Sequence, residues 1–210
     1  MRKNKRILLI ALTLVIICVI FFISRLIIKK NDKTQILAQI YQDLSSSQIY
    51  YFEWEQNDKN KTIMAKKDDK IIIDQYSKDS HTTTLVKDNT SYLILHDRKE
   101  YIIYGPNIIE QNILLDGLKQ FEGKEFSKGK EKVKGKKYDY EEYIGSSMFM
   151  VNNALDIKEE DIKTRFYFDK KDKLVYIKTI YGEEQEILKV KLEKDVDDAL
   201  FEIPSDYAEN

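Results

Sequence analysis

Histidines, cysteines and clustered acids are the residues best suited to chemistry, and this chain offers few of them in a workable arrangement. It has two histidines, His81 and His96, and neither has a cysteine, a second histidine or an acid at metal-ligand spacing, so both read as surface residues and no metal site is expected. Its single cysteine, Cys18, lies inside an apolar run, which leaves the rest of the chain without a disulfide or thiol chemistry. Asp195-Val196-Asp197-Asp198 is acidic enough to suggest calcium, but it lacks the alternating oxygen ligands and turn glycine of a calcium loop and reads as a solvated connector. There is no glycine-rich phosphate loop, nucleophile elbow, HExxH or EF-hand pattern. With 36 acids, carboxylate pairs are plentiful and nothing singles one out. The expectation is a protein that is not an enzyme, with no catalytic residue and no cofactor. The strongest local charge feature is Lys124, Lys128, Lys130, Lys132, Lys134, Lys136 and Lys137, either a solvated hairpin face or a contact for an anionic wall polymer or headgroup.

The elements that would position such residues begin with the N-terminus. Ile7 to Ile23 carries no charge, and Leu26, Ile27 and Ile28 extend the run past Arg25. At about 1.5 Å per residue this matches the hydrocarbon core of a bilayer, with Arg25 able to reach the far interface. The run is longer than a signal-peptide core, no small-x-small site follows it, and Ile17 before Cys18 is wrong for a lipoprotein signal. The expected organisation is therefore a cytoplasmic basic tail over 1–6, an uncleaved transmembrane signal anchor over 7–28, and a single extracytoplasmic domain over 32–210 of a single-pass cell-membrane protein. Of 35 basic residues, seven fall in the first thirty, leaving 28 against 36 acids and about −8 for residues 31–210. An acidic domain is a poor match for nucleic acid, and no nucleic-acid partner is expected.

Within the domain, Ile36, Leu37, Ile40, Tyr41 and Leu44 recur at helical spacing, predicting an amphipathic helix over Asp32–Leu44. The period then changes to two. Tyr50, Phe52 and Trp54 alternate with Tyr51, Glu53 and Glu55, and further short runs follow at Thr62–Lys66, Ile71–Tyr76, His81–Lys87, Ser91–Leu95 and Tyr101–Tyr104, separated by polar turns. Gly105-Pro106 stops this meander, Asn107–Phe121 reads as a second helix, Gly123–Tyr143 as a basic hairpin, and Thr164–Phe168, Leu174–Tyr181 and Glu186–Leu192 as three last strands. So long a meander must curl. The expected fold is α+β: a strongly curved antiparallel sheet, or half-barrel, with helices on its concave face. Phe52, Trp54, Ile73, Ile94 and Ile103 are candidate ligand-lining residues, with plain core packing as the competing explanation for the aromatics.

The order of these elements, with Thr164-Arg165-Phe166-Tyr167-Phe168-Asp169, Leu174-Val175-Tyr176-Ile177 and the closing Phe201-Glu202-Ile203-Pro204, resembles the lipoprotein-carrier (LolA/LolB-like) superfamily over roughly residues 34–207. The resemblance implies a half-barrel with a helical lid over a hydrophobic cavity that takes acyl chains or other apolar ligands. A protein anchor replaces the cleaved or lipidated N-terminus of those carriers, so tethered binding is implied here and free shuttling is not. Two functions follow as expectations: a membrane-anchored binding protein for a lipid or lipoprotein acyl chain, or an interaction subunit of a cell-envelope complex with a protein partner and a filled core.

Overall fold

A computed structural model of the chain describes residues 35–57, 59–106, 113–148 and 158–210. The chain divides into two units, residues 1–35 and 36–210. The expected basic tail at 1–6 and transmembrane helix at 7–28 lie outside the described residues, among which no helix is long and apolar enough to cross a membrane.

The second unit is a curved, open and almost wholly antiparallel sheet of twelve strands. Helix α1 (Ile36–Ser47) leads into β1 (Tyr50–Asn57), β2 (Asn60–Lys67), β3 (Lys70–Tyr76), β4 (His81–Lys87), β5 (Thr90–Leu95) and β6 (Glu100–Pro106). Helix α2 (Ile113–Lys119) follows, then β7 (Ser127–Val133), β8 (Lys136–Ile144), β9 (Ile162–Phe168), β10 (Leu174–Tyr181), β11 (Glu184–Glu193) and the two-residue β12 (Ala208–Glu209). The spatial order is β12-β6-β5-β4-β3-β2-β1-β11-β10-β9-β8-β7, so two consecutive meanders are joined where β1 pairs with β11. Turn chemistry sets the hairpins: Lys134 and Gly135, both at positive φ, close β7 onto β8 in the two-residue form that matches strand twist. The seven clustered lysines lie exposed on and beside this hairpin, and the charge they place on edge strand β7 discourages edge-to-edge pairing.

Alternation gives each strand two faces, and register carries them across the sheet. One face presents Leu192, Phe52, Met64, Ile73, Thr84, Leu93 and Ile102 in a single row. Helices α1 and α2 cover this face around Phe52, Phe166, Ile177 and Val190, burying Leu37, Leu44, Leu114 and Leu118. Phe121, just after α2, packs edge-on against Tyr143 and Phe166 at 5.1 and 4.9 Å. Part of the reverse face is covered as well. The chain after β11 crosses it, and Val196, Leu200, Phe201, Ile203 and Tyr207 pack on Ala65, Ile72, Leu85 and Ile94. The acids of Asp195-Val196-Asp197-Asp198 are exposed, as expected of a solvated connector, but Val196 is buried in this covering, and Asp197 caps the short 3-10 turn Asp198–Phe201 by accepting from the Ala199 N–H.

Further along the reverse face, Gly129 of β7 sits opposite Tyr140 of β8, and a Cβ on the glycine would come within 2.4 Å of the phenol ring. Tyr140 lies beneath the Arg165 guanidinium, 4.8 Å from its ring centre. Gly129→Ala should displace the ring from that contact and cost about 1–2 kcal/mol, measured as a fall in urea midpoint. An unchanged midpoint would show that the ring moves aside freely.

Candidate functional site

Three features of the fold could hold a ligand. The first is a recess of about 550 Å³ between α1 and the adjoining ends of β10 and β11. Ile40 and Leu44 of α1, Leu174 of β10 and Leu192 of β11 form its apolar walls, and Asp43, Asp172, Lys173, Glu193, Lys194 and Asp195 ring it. Leu44 and Leu174 are buried, while Ile40 and Leu192 are half-buried and meet the open side. Lys194 pairs with Asp43 at 2.7 Å, tying α1 to the chain beyond β11. An aliphatic floor with charges of both signs at its mouth suits a molecule that has an apolar and a polar end.

The second is a more polar recess of about 480 Å³ on the same face, where Trp54 and Leu188 meet Thr62, Gln75 and Thr82. It adjoins the row of apolar residues that runs out from under the helices. Along that row Phe52 is fully buried, whereas Met64, Ile73, Leu93 and Ile102 are half-buried.

Of the residues expected to line one cavity, Phe52, Trp54 and Ile73 share the helix-bearing face, with the rings of Phe52 and Trp54 5.5 Å apart. Ile94 and Ile103 do not join them. Ile94 pairs with Thr83 and Tyr101 on the reverse face and is buried there, and Ile103 of β6, beyond the residues that β12 pairs with, lies opposite Tyr92 of β5 and is 42% exposed. The partners of Ile73 across the sheet are instead Leu93 and Ile102. In Tyr92-Leu93-Ile94-Leu95 every residue is apolar, so the sequence holds no parity signal to say which ones face the helices.

The third feature is on the reverse face and corrects the reading of the histidines as surface residues. Both are half-buried. Tyr76 of β3 pairs with His81 of β4, and the β4–β5 hairpin brings the His96 N–H to the His81 carbonyl at 3.1 Å, so residues far apart in sequence become neighbours. The imidazoles stack at 3.6 Å and 7°, with Tyr76 stacked on the other side of His81 at 3.9 Å. Asp74, 6% exposed, lies one row further in. His81 Nε2 is 2.8 Å from Asp74 Oδ1, the Thr83 hydroxyl donates to that same oxygen at 2.5 Å, and His96 Nε2 is 2.7 Å from the Thr83 oxygen. The single hydroxyl proton of Thr83 is given to Asp74, so the Thr83 oxygen accepts from a protonated His96 Nε2. His96 Nδ1 lies 2.9 Å from the Tyr207 hydroxyl on the covering C-terminal segment. Burial, then the neighbouring His81, holds His96 below its ordinary value. Burial and the hydrogen bond to Asp74 push Tyr76 up to about 12.

No protein-family model and no curated protein matches the sequence. Among solved structures the chain is similar to an uncharacterized conserved protein from Thermus thermophilus, at 10% identity and a TM-score of 0.42, over 82% of this chain and 98% of that one. It is also similar to the Mycobacterium tuberculosis lipoprotein LppX, at 14% identity and a TM-score of 0.40, over 77% of this chain and 97% of that one.

Proposed function

We propose that this chain is a membrane-anchored, extracytoplasmic binding protein without catalytic activity, whose domain takes a hydrophobic or amphipathic ligand such as a lipid or a lipoprotein acyl chain. The observation that carries the reading is the 550 Å³ recess beside α1. Its volume falls in the range of small-molecule sites, about 300–1,000 Å³. An acyl chain would lie on Ile40, Leu44, Leu174 and Leu192, and its head group would remain among the charges at the mouth. The half-buried row at Ile73, Leu93 and Ile102 offers further apolar surface on the same face, and the LolA/LolB-like resemblance of the sequence supports the same ligand class. Residues 7–28 would serve as the tether, keeping the recess near the bilayer that supplies such chains.

The test is photolabelling of the detergent-solubilised full chain with a photoreactive fatty acid. Labelled peptides should contain Ile40, Leu44, Leu174 or Leu192. Leu192→Gln, which puts an amide on the apolar wall, should lower labelling about tenfold. Labelling that is undiminished in Leu192→Gln, or that falls elsewhere, removes the recess as the site. A second reading, an interaction subunit of a cell-envelope complex, draws on β6, where Ile103 and Tyr104 are 42% and 52% exposed and β12 pairs only with Glu100 and Tyr101. It requires that Ile103→Lys abolish co-purification of a protein partner from the native membrane.

A further inference from the structure

The ligand recess makes no use of the Asp74–His81–His96 cluster on the reverse face. We propose that these three residues bind a divalent transition-metal ion of the zinc class. They offer one carboxylate oxygen and two imidazole nitrogens that all lie within 4.8 Å of one another. Tetrahedral zinc ligands at about 2.0–2.1 Å from the ion stand about 3.4 Å apart, so modest side-chain rotations bring the three atoms into one coordination shell. Both Nε2 atoms lie on the same small polar cluster: His81 contacts Asp74 Oδ1, and His96 contacts the Thr83 oxygen, whose proton goes to that carboxylate atom.

The surroundings resemble the outer sphere of a metal centre. The Tyr207 hydroxyl occupies His96 Nδ1 at 2.9 Å, which leaves Nε2 to face the ion once the tautomer changes. Thr83 and Tyr76 hold the carboxylate, and Asp97 accepts from the His81 backbone N–H at 3.2 Å. Asp74 and His81 come from paired strands, and the backbone bond from His96 to His81 fixes the third residue beside them. The carboxylate of Asp74 is buried on a face that also carries the apolar Ile72, Leu85 and Ile94, where a bound cation would offset its charge. The His81 side chain is 25% exposed, giving the ion an entry path and a water as a further ligand. Two imidazoles and one carboxylate suit zinc, cobalt, nickel or copper, and not the all-oxygen shells of calcium and magnesium. The stacked rings lie too nearly parallel to direct two in-plane lone pairs at a single ion. Ligation must therefore splay them and move the Nε2 protons to Nδ1.

The full chain, stripped with a chelator, should take up one equivalent of Co2+ with the d–d absorption of a low-coordinate site, and Zn2+ should displace it. The ε2 nitrogens of His81 and His96 should shift to the metal-bound range in 15N spectra. His81→Asn and His96→Asn should each weaken binding by more than about 100-fold, and Tyr207→Phe, which keeps all three ligands, by about tenfold. Far-UV circular dichroism matching the parent chain shows that each variant is folded. Should Asp74→Asn not fold, the histidine and Tyr207 variants decide the matter. No uptake by the folded parent chain, or uptake undiminished in both histidine variants, overturns the proposal.

Discussion

Glu141→Ala should destabilise the domain by about 3–5 kcal/mol and loosen α1 ahead of the sheet. Glu141 lies on β8 facing the helices, 1% exposed. Its Oε1 accepts from the Ile36 N–H at 2.7 Å, and its Oε2 accepts from the Leu37 N–H at 3.1 Å and from the buried Tyr143 hydroxyl at 3.0 Å. The first four N–H groups of a helix have no partner within it, and α1 has no acidic residue in its first turn to serve them. A carboxylate from a strand more than a hundred residues later does so, adding the attraction of a negative charge for the positive end of the helix. Alanine would leave the Ile36 and Leu37 N–H groups without their acceptor, each at a cost of about 1–3 kcal/mol, and would also remove the carboxylate to which the Tyr143 hydroxyl donates. Glu141→Gln keeps an acceptor and should lose markedly less. Urea unfolding gives the size of the effect, and hydrogen exchange gives its place: the amides of α1 should lose protection more than those of β3 and β4. A loss below about 1 kcal/mol, or uniform loss of protection, would refute the capping role. Because α1 supplies Ile40 and Leu44 to the recess, the same variant should also label poorly with the fatty-acid probe.

The strands were legible because each signal is local. The alternation in Ile49–Gln56, the β-branched run of Ile71–Ile73 and the polar turn at Lys67-Asp68-Asp69-Lys70 each fix a strand or a hairpin within ten residues, and the observed strand bounds differ by only a residue or two. Helix α1 was equally plain: it runs from Ile36 to Ser47, three residues past the expected Leu44, and 32–34 lie outside the described residues; of the second expected helix, Ile113–Lys119 is seen and 107–112 lie outside the described residues. What could not be read depends on pairing. The β1–β11 contact joins residues well over a hundred positions apart and has no local mark. Glu141 was one acid among 36. His81 and His96 meet only because a hairpin of the right length folds one strand back beside the other, and Asp74 joins them through the β3–β4 register. Phe201-Glu202-Ile203-Pro204 was visible as a motif, but that it covers the reverse face follows from the folded chain alone.

Acid should remove a second stabilising centre, and Glu131→Gln should show which group is responsible. On the reverse face of β7–β10, Glu131 Oε2 accepts from Arg165 Nη1 at 2.7 Å and from the Tyr167 hydroxyl at 2.6 Å, while Oε1 accepts from Lys178 at 3.1 Å. Arg165 Nε also reaches Glu142 at 2.6 Å. Partial burial works against the charge on Glu131, but the bonds from Tyr167, Lys178 and Arg165 outweigh it and lower the carboxyl from the ordinary 4.5 to about 2. The group is depressed in the folded state, so its contribution is complete above pH 4.5 and is lost as the pH falls toward 2. With allowance for solvent at a side chain 31% exposed, that contribution is about 2 kcal/mol. Glu131→Gln removes it at every pH, and the Lys178 side chain, 12% exposed, then faces an amide in place of a carboxylate. Arg165 keeps Glu142 and should stay in place. Urea unfolding of both proteins should therefore show a gap of about 2 kcal/mol at pH 7 that closes between pH 4.5 and the lowest pH at which the domain remains folded. A gap of constant size would mean that Glu131 acts through packing, and that the charge network spanning four strands contributes nothing measurable to stability.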